Sequence, residues 1–302
     1  MEEWKASEGF SGAFKAGDSS QRLSQVIRSQ GPLPSLKLCA ALVGHAGDVR
    51  SLAKGKAHLY SGSRDSTVKA WALDEEGHIH GVHRTPEAEI KLPDWVNALT
   101  VGTLPQPLTV DGLATTEEEI IVAGCKDGVI YVMQWDVAGV PARLEIKGSL
   151  TGHSAPICSL SWSGRGLLLS GAWDDSARAW DMGSGQCTWV LGGHENNVSV
   201  LGLGNGLVAT GSTGVVVEGQ LLGYQIRLWE GTPPKETSSL TDHQGSIRDL
   251  CAVRYEGVAF CSCSNDGTVR AWGRGGKCLG SFDVPEGGGD WGGGGGGDCF
   301  GS

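Results

Sequence analysis

His, Ser and Asp recur together three times along this 302-residue chain, each time with a Trp. The sets are His45, Ser61, Asp65 and Trp71; His153, Ser170, Asp174 and Trp180; and His243, Ser262, Asp266 and Trp272. In every set Ser lies four residues before Asp, and Trp six after it. His194, Thr210 and Trp229 repeat the pattern without its carboxylate. Ser, His and Asp are the components of a hydrolytic triad, in which Asp orients His and His takes the Ser proton. A domain needs such a triad once, whereas a set recurring at fixed spacing marks repeated structure. A buried carboxylate also needs donors, and imidazole N–H, hydroxyl, indole N–H and turn amides supply them. The expected role is structural: each quartet locks one loop against two strands. No residue is assigned to catalysis, and the chain is not read as an enzyme.

The segments that carry the quartets read as strands. From Gly152-His153 to Trp180-Asp181, apolar and polar residues alternate in short runs broken by Ser, Gly and Asp turns. Period-two alternation between such turns indicates antiparallel β-strands. A GH opening and a WD close around them are the signature of a propeller blade. Five units are recognised, at about 39–73, 90–136, 148–181, 187–230 and 236–273. The second is degenerate, with Ala123 and Met133 in the Ser and Trp places, Asp127 at the turn, Trp135 two residues late and a Pro-rich insertion at 104–116. The fourth carries an insertion at 213–225 where the turn Asp belongs, and Gly223 stands six before Trp229. Residues 1–36 read as a flexible leader with a short helix at 20–30, and 284–302 as a Gly-rich disordered tail. The expected fold is an all-β WD40 propeller.

Composition narrows the function classes. A formal net charge of −10 argues against nucleic acid, which requires basic surface. No stretch has the apolar length of a membrane span. Nine cysteines without a C-x-x-C pair fit reduced, mostly buried thiols in the cytoplasm or nucleus. Gly202-Leu203-Gly204-Asn205-Gly206 lacks the dinucleotide spacing and a following helix. His78, His80 and His83 are candidate metal ligands in the charged stretch HIHGVHR, but no Cys or carboxylate spacing around them completes a site. No cofactor or metal is therefore expected.

Propellers bind partners at their loop rims. One exposed position per blade precedes the turn Asp: Arg64, Lys126, Trp173 and Asn265, with the fourth blade's place lost to its insertion. Aromatic and basic residues together favour a protein partner. Asp48, Asn97, Pro156, Asn197 and Ser246 are placed near the same rim, before the first inner strands.

The series S-R-D, x-K-D, A-W-D, S-N-D resembles that of the phospholipase A-2-activating protein and ubiquitin-fusion-degradation family, as do 44–50 (GHAGDVR), 122–127, 157–180, 243–250 and 262–272. The resemblance implies a seven-bladed propeller with one face for ubiquitin or ubiquitylated proteins, acting in ubiquitin homeostasis and ubiquitin-dependent protein degradation. It places Arg64, Lys126, Trp173, Asn265 and Asp48 at that face. This sequence holds five units and neither C-terminal domain of the family, so a Cdc48-type ATPase is not an expected partner. The alternative is a general WD-repeat scaffold that binds another protein or peptide through one propeller face.

Overall fold

The computed structural model describes residues 38, 40–104, 118–136, 142–164, 166–255 and 257–283. The expected leader and its helix, the Gly-rich tail and nearly all of the Pro-rich insertion lie outside these residues. Every regular element described is a β-strand. No helix among the described residues is long and apolar enough to cross a membrane.

The chain enters through β1 (Ala40–Leu42), which pairs in parallel with β5 (Gly81–His83). Five four-stranded sheets follow. Blade 1 is β2 (Val49–Lys54), β3 (His58–Ser63), β4 (Thr67–Ala72) and β6 (Ala88–Lys91). Blade 2 is β7 (Val96–Leu104), β8 (Glu118–Cys125), β9 (Ile130–Asp136) and β10 (Arg143–Leu150). Blade 3 is β11 (Ile157–Trp162), β12 (Leu167–Ala172), β13 (Ala177–Asp181) and β14 (Gln186–Leu191). In blade 4, β15 (Val198–Gly202) and β16 (Leu207–Ser212) are separated from β19 (Ile226–Glu230) and β20 (Lys235–Leu240) by a hairpin, β17 (Val215–Val217) and β18 (Gln220–Leu222). Blade 5 is β21 (Ile247–Tyr255), β22 (Val258–Ser264), β23 (Thr268–Trp272) and β24 (Cys278–Asp283). All pairings within the five blades are antiparallel, as the alternating pattern requires. The sequence units are offset from the sheets by one strand, because the strand ahead of each GH is the outer strand of the preceding blade.

Blades dock by fitting two aliphatic knobs of one inner strand over a glycine of the blade before it. A Cβ on Gly62 would strike Val96 and Leu99, one on Gly124 would strike Ile157, and one on Gly211 would strike Ile247. Glycine is required there because a neighbouring strand occupies the space of its side chain. The inner strands thus pack in the sequence β2, β7, β11, β15, β21. In blade 1 the same two knob positions, Val49 and Leu52, are 51% and 60% exposed, whereas Leu99 and Leu250 are 7% and 5% exposed. At the glycine position blade 5 carries Cys263, opposite Asp249. The five blades form an open arc.

The cysteines are less uniformly interior than expected. Cys125 is buried and burial pushes its thiol well up, but Cys251 is exposed and Cys158, Cys187, Cys261, Cys263 and Cys278 are half-buried. The short sheet strands place side chains on alternate faces, so a half-buried outer position suffices for a small apolar residue.

Candidate functional site

The three complete quartets are built alike. In blade 3, His153 Nδ1 lies 2.8 Å from Asp174 Oδ2, and its Nε2 lies 2.7 Å from Ser170 Oγ. Trp180 Nε1 donates to Ser170 Oγ at 2.8 Å. The Ser154 amide donates to Asp174 Oδ2 at 3.0 Å, and the Ser176 hydroxyl to Asp174 Oδ1 at 2.7 Å. Blade 1 repeats this with His45, Asp65, Ser61 and Trp71. Blade 5 repeats it with His243, Asp266, Ser262 and Trp272.

The protonation states follow from burial. Desolvation lowers the pKa of His153 and of His243, outweighing the opposite pull of Asp174 and Asp266. Desolvation alone would raise the three carboxyls, but the surrounding hydroxyl, amide and imidazole donors more than offset it and hold Asp65, Asp174 and Asp266 below the usual range. A neutral imidazole then gives its Nδ1–H to the carboxylate. Its Nε2 accepts the Ser proton, and the Ser oxygen accepts the indole proton. Every member is satisfied, as a buried polar network must be. Ser170 is completely enclosed, and Ser61 and Ser262 nearly so. These hydroxyls hold strands together and offer no attacking oxygen to solvent.

Blade 4 keeps half of this network. His194 Nε2 lies 2.6 Å from Thr210 Oγ1, and Trp229 Nε1 donates to the same oxygen at 2.8 Å. His194 Nδ1 is buried without a partner. Desolvation, with Arg227 nearby, drives its pKa down to about 4. The missing carboxylate does not belong at Gly223. Thr213 donates its amide to Asn197 O as Trp173 does to Pro156 O, which makes Gly214 the counterpart of Asp174. Counting back from Trp229 missed this because the hairpin separates the two. Ser212 substitutes in part: its Oγ accepts from the amides of Glu195 and Gly214 and donates to the Glu195 carbonyl.

Blade 2 has an apolar substitute. Met133 faces Ile121 as Trp180 faces Leu168, and it is fully buried. Asp127 turns to its own hairpin, accepting from the Val129 amide and from Tyr131 OH at 2.8 Å. Trp135 serves another purpose, donating to Tyr60 OH at 2.8 Å while Tyr60 donates to Glu119. It ties blade 2 to blade 1.

The rim above these turns is the candidate contact surface. The backbone amides of Arg64, Lys126, Trp173 and Asn265 donate to the carbonyls of Asp48, Trp95, Pro156 and Ser246, one such bond per blade. Blade 2 therefore presents Trp95 at the position assigned to Asn97 by sequence. Asn97 lies inside β7 and donates to Ile157 O, joining blades 2 and 3. The missed signal was Val96, which aligns with Val49, Ile157, Val198 and Ile247 as the first strand residue.

Trp95 is the centre of a basic-aromatic cluster. The Lys126 ammonium sits 3.9 Å from its ring centroid and the Arg64 guanidinium carbon 5.1 Å. Cation–π contact holds both chains against the indole at modest gain, about 0.5–1 kcal/mol at an exposed site. Arg64 also pairs with Asp48 at 3.1 Å. Trp173, on the adjoining blade, is 48% exposed. Asn265 stands apart from this cluster, held by Arg248 Nε at 2.6 Å.

A family model described as "WD domain, G-beta repeat" matches residues 36–72, 144–181 and 234–273. Protein DOA1 of Saccharomyces cerevisiae is 28% identical over 78% of this chain and 28% of its own length. Zinc finger CCCH domain-containing protein 62 of Arabidopsis thaliana is 26% identical over 55% of this chain and 44% of its own. The chain spans less than half the length of these curated relatives. The crystal structure of the WD40 beta propeller domain of Doa1 superposes with a TM-score of 0.60 at 24% identity, over 82% of this chain and 73% of that one.

Proposed function

We propose that this chain, a WD-repeat propeller similar to that of Doa1, is a non-catalytic ubiquitin-binding module. It serves ubiquitin homeostasis and ubiquitin-dependent protein degradation in the cytoplasm and nucleus. The observation that carries the reading is the rim cluster in which Arg64 and Lys126 flank Trp95, with Trp173 exposed at the same rim of the next blade. A fixed indole gives a partner apolar area at little entropic cost, and flanking cations fix its orientation. The order of the residues before the turn Asps of blades 1, 2, 3 and 5, which resembles that of the phospholipase A-2-activating protein and ubiquitin-fusion-degradation family, favours ubiquitin over an arbitrary partner. Titration of isotope-labelled ubiquitin with the chain tests this. Shifts of a discrete set of ubiquitin amides below millimolar concentration are expected, weakened at least about tenfold by Trp95→Ala or Trp173→Ala, the loss of one hot-spot aromatic. Absence of shifts, or unchanged affinity in both variants, sinks the proposal.

A further inference from the structure

The eight histidines of the chain divide by task. Four belong to the quartets, and His58 stacks on Trp135 at 4.6 Å. The remaining three, His78, His80 and His83, lie in one connection, with His83 at the end of its short strand β5. That connection links β4 to β6 in blade 1 and runs over residues 73–87, whereas the corresponding links are 182–185 in blade 3, 231–234 in blade 4 and 273–277 in blade 5. It lies at the rim opposite the Asp turns, against the β2–β3 turn, through Leu73 N to Ala57 O and Lys54 Nζ to Gly77 O.

The loop folds on Asp74. Asp74 Oδ1 accepts from the amides of Glu76 and His78, and the Asp74 amide donates to His78 O. Gly77, at φ +77°, permits the reversal, which a residue with a Cβ adopts only under strain. His78 is thereby carried back over Asp74, and His80, two residues on, emerges on the same side of the extended chain. Asp74 Oδ2 is left facing His80 Nε2 at 3.8 Å. One ligand atom from each of Asp74, His78 and His80 lies within 4.8 Å of the other two. Glu76 Oε2 is 3.6 Å from His78 Nδ1. His83 does not join them. Its Nε2 lies 2.8 Å from His80 O, a contact that fixes the backbone of a ligand-bearing residue. The histidines stand out in the sequence but the carboxylate does not, because Asp74 is brought in by the turn rather than by spacing.

We propose that Asp74, His78 and His80 form a surface site for a divalent transition cation of the zinc class, with Glu76 or water as fourth ligand. Two imidazoles and a carboxylate are a zinc donor set, and imidazole disfavours magnesium and calcium, which take oxygen. Donor atoms around tetrahedral zinc lie about 3.4 Å apart for bonds near 2.1 Å, so small rotations of exposed side chains close the present spacing. Asp74, Glu75 and Glu76 supply the negative field that draws a cation to this rim. Bound metal would pin the only long link among the described third-to-fourth strand connections of blades 1, 3, 4 and 5.

The test is a zinc titration of the full chain followed by imidazole nitrogen NMR, with cobalt(II) absorption as a second readout. Expected are one equivalent of zinc moving the His78 and His80 ring resonances, and a cobalt spectrum without thiolate charge-transfer bands. His78→Asn/His80→Asn should abolish this binding, and Asp74→Asn should weaken it by at least about tenfold, since the loss even of a group that only orients a ligand costs that much. The variants lie on an exposed loop, and far-ultraviolet circular dichroism with the thermal midpoint checks their folding. Zinc that leaves both rings unmoved, thiolate bands in the cobalt spectrum, or equal binding by the folded double variant would overturn the proposal.

Discussion

Blades 3 and 4 solve one problem with different means. Each must fasten a GH loop to its second and third strands through His, a hydroxyl and Trp, and both do so with nearly equal distances. Blade 3 completes the circuit with Asp174, which binds imidazole, loop amide and turn hydroxyl at once. Blade 4 spends the same place on a hairpin and leaves His194 Nδ1 unpaired. The carboxylate is therefore not what shapes the blade. Its contribution is to satisfy every donor around it and to rigidify the rim.

The largest break in this comparison is Asp174→Ala. It strands His153 Nδ1–H and the Ser176 hydroxyl, both on buried residues, and leaves the more exposed Ser154 amide to water. Each lost hydrogen bond to a carboxylate costs about 1.5–3 kcal/mol where it is buried, so urea unfolding should report a total loss of roughly 3–5 kcal/mol. A loss below about 1 kcal/mol, the worth of one ordinary hydrogen bond, would mean that blade 3 tolerates the vacancy as blade 4 does.

How much of this was legible beforehand depended on whether function followed spacing. The quartets were readable because Ser170, Asp174 and Trp180 keep the same intervals as their counterparts, set by the pairing of the second and third strands, while the His stands 16 to 19 residues before the Ser. Trp95 was not, because blade 2 lacks a GH mark and its rim position is defined only by the amide of Lys126 reaching Trp95 O. Gly214 was hidden for a similar reason: the hairpin breaks the count from Trp229. Asp74 meets His78 and His80 through a turn that no repeat dictates. Contacts made by periodic strands can be counted along a chain, whereas contacts made by irregular loops depend on where the backbone reverses.

Acid should expose blade 4 next. His194 stays neutral in the folded chain down to about pH 4, while an unfolded histidine protonates near 6.5. A depressed histidine pKa means that the unfolded chain binds the extra proton first. Stability from this residue is thus complete above about pH 6.5 and is lost as pH falls towards 4, by roughly 3 kcal/mol. His194→Gln should flatten the stability profile across that window. His153→Gln should flatten it less, because Asp174 partly restores the proton affinity of His153. Equal slopes in wild type and His194→Gln would show that His194 is hydrated and that blade 4 breathes.

The finest distinction concerns Ser212, the residue through which blade 4 compensates. Its hydroxyl accepts the Glu195 amide, the counterpart of the Ser154 amide held by Asp174. It also accepts the Gly214 amide where the hairpin begins. It is fully buried, so Ser212→Ala leaves the Glu195 amide without its acceptor, while the Gly214 amide keeps its second bond, to the Glu195 carbonyl. One neutral hydroxyl does less than a carboxylate, and the expected loss is about 1–2 kcal/mol. Hydrogen exchange should localise that loss to the Glu195 amide, with the GH loop of blade 3 unchanged. If the exchange of that amide does not accelerate, the hairpin rather than Ser212 secures the loop, and blade 4 has replaced a charge with a pair of strands.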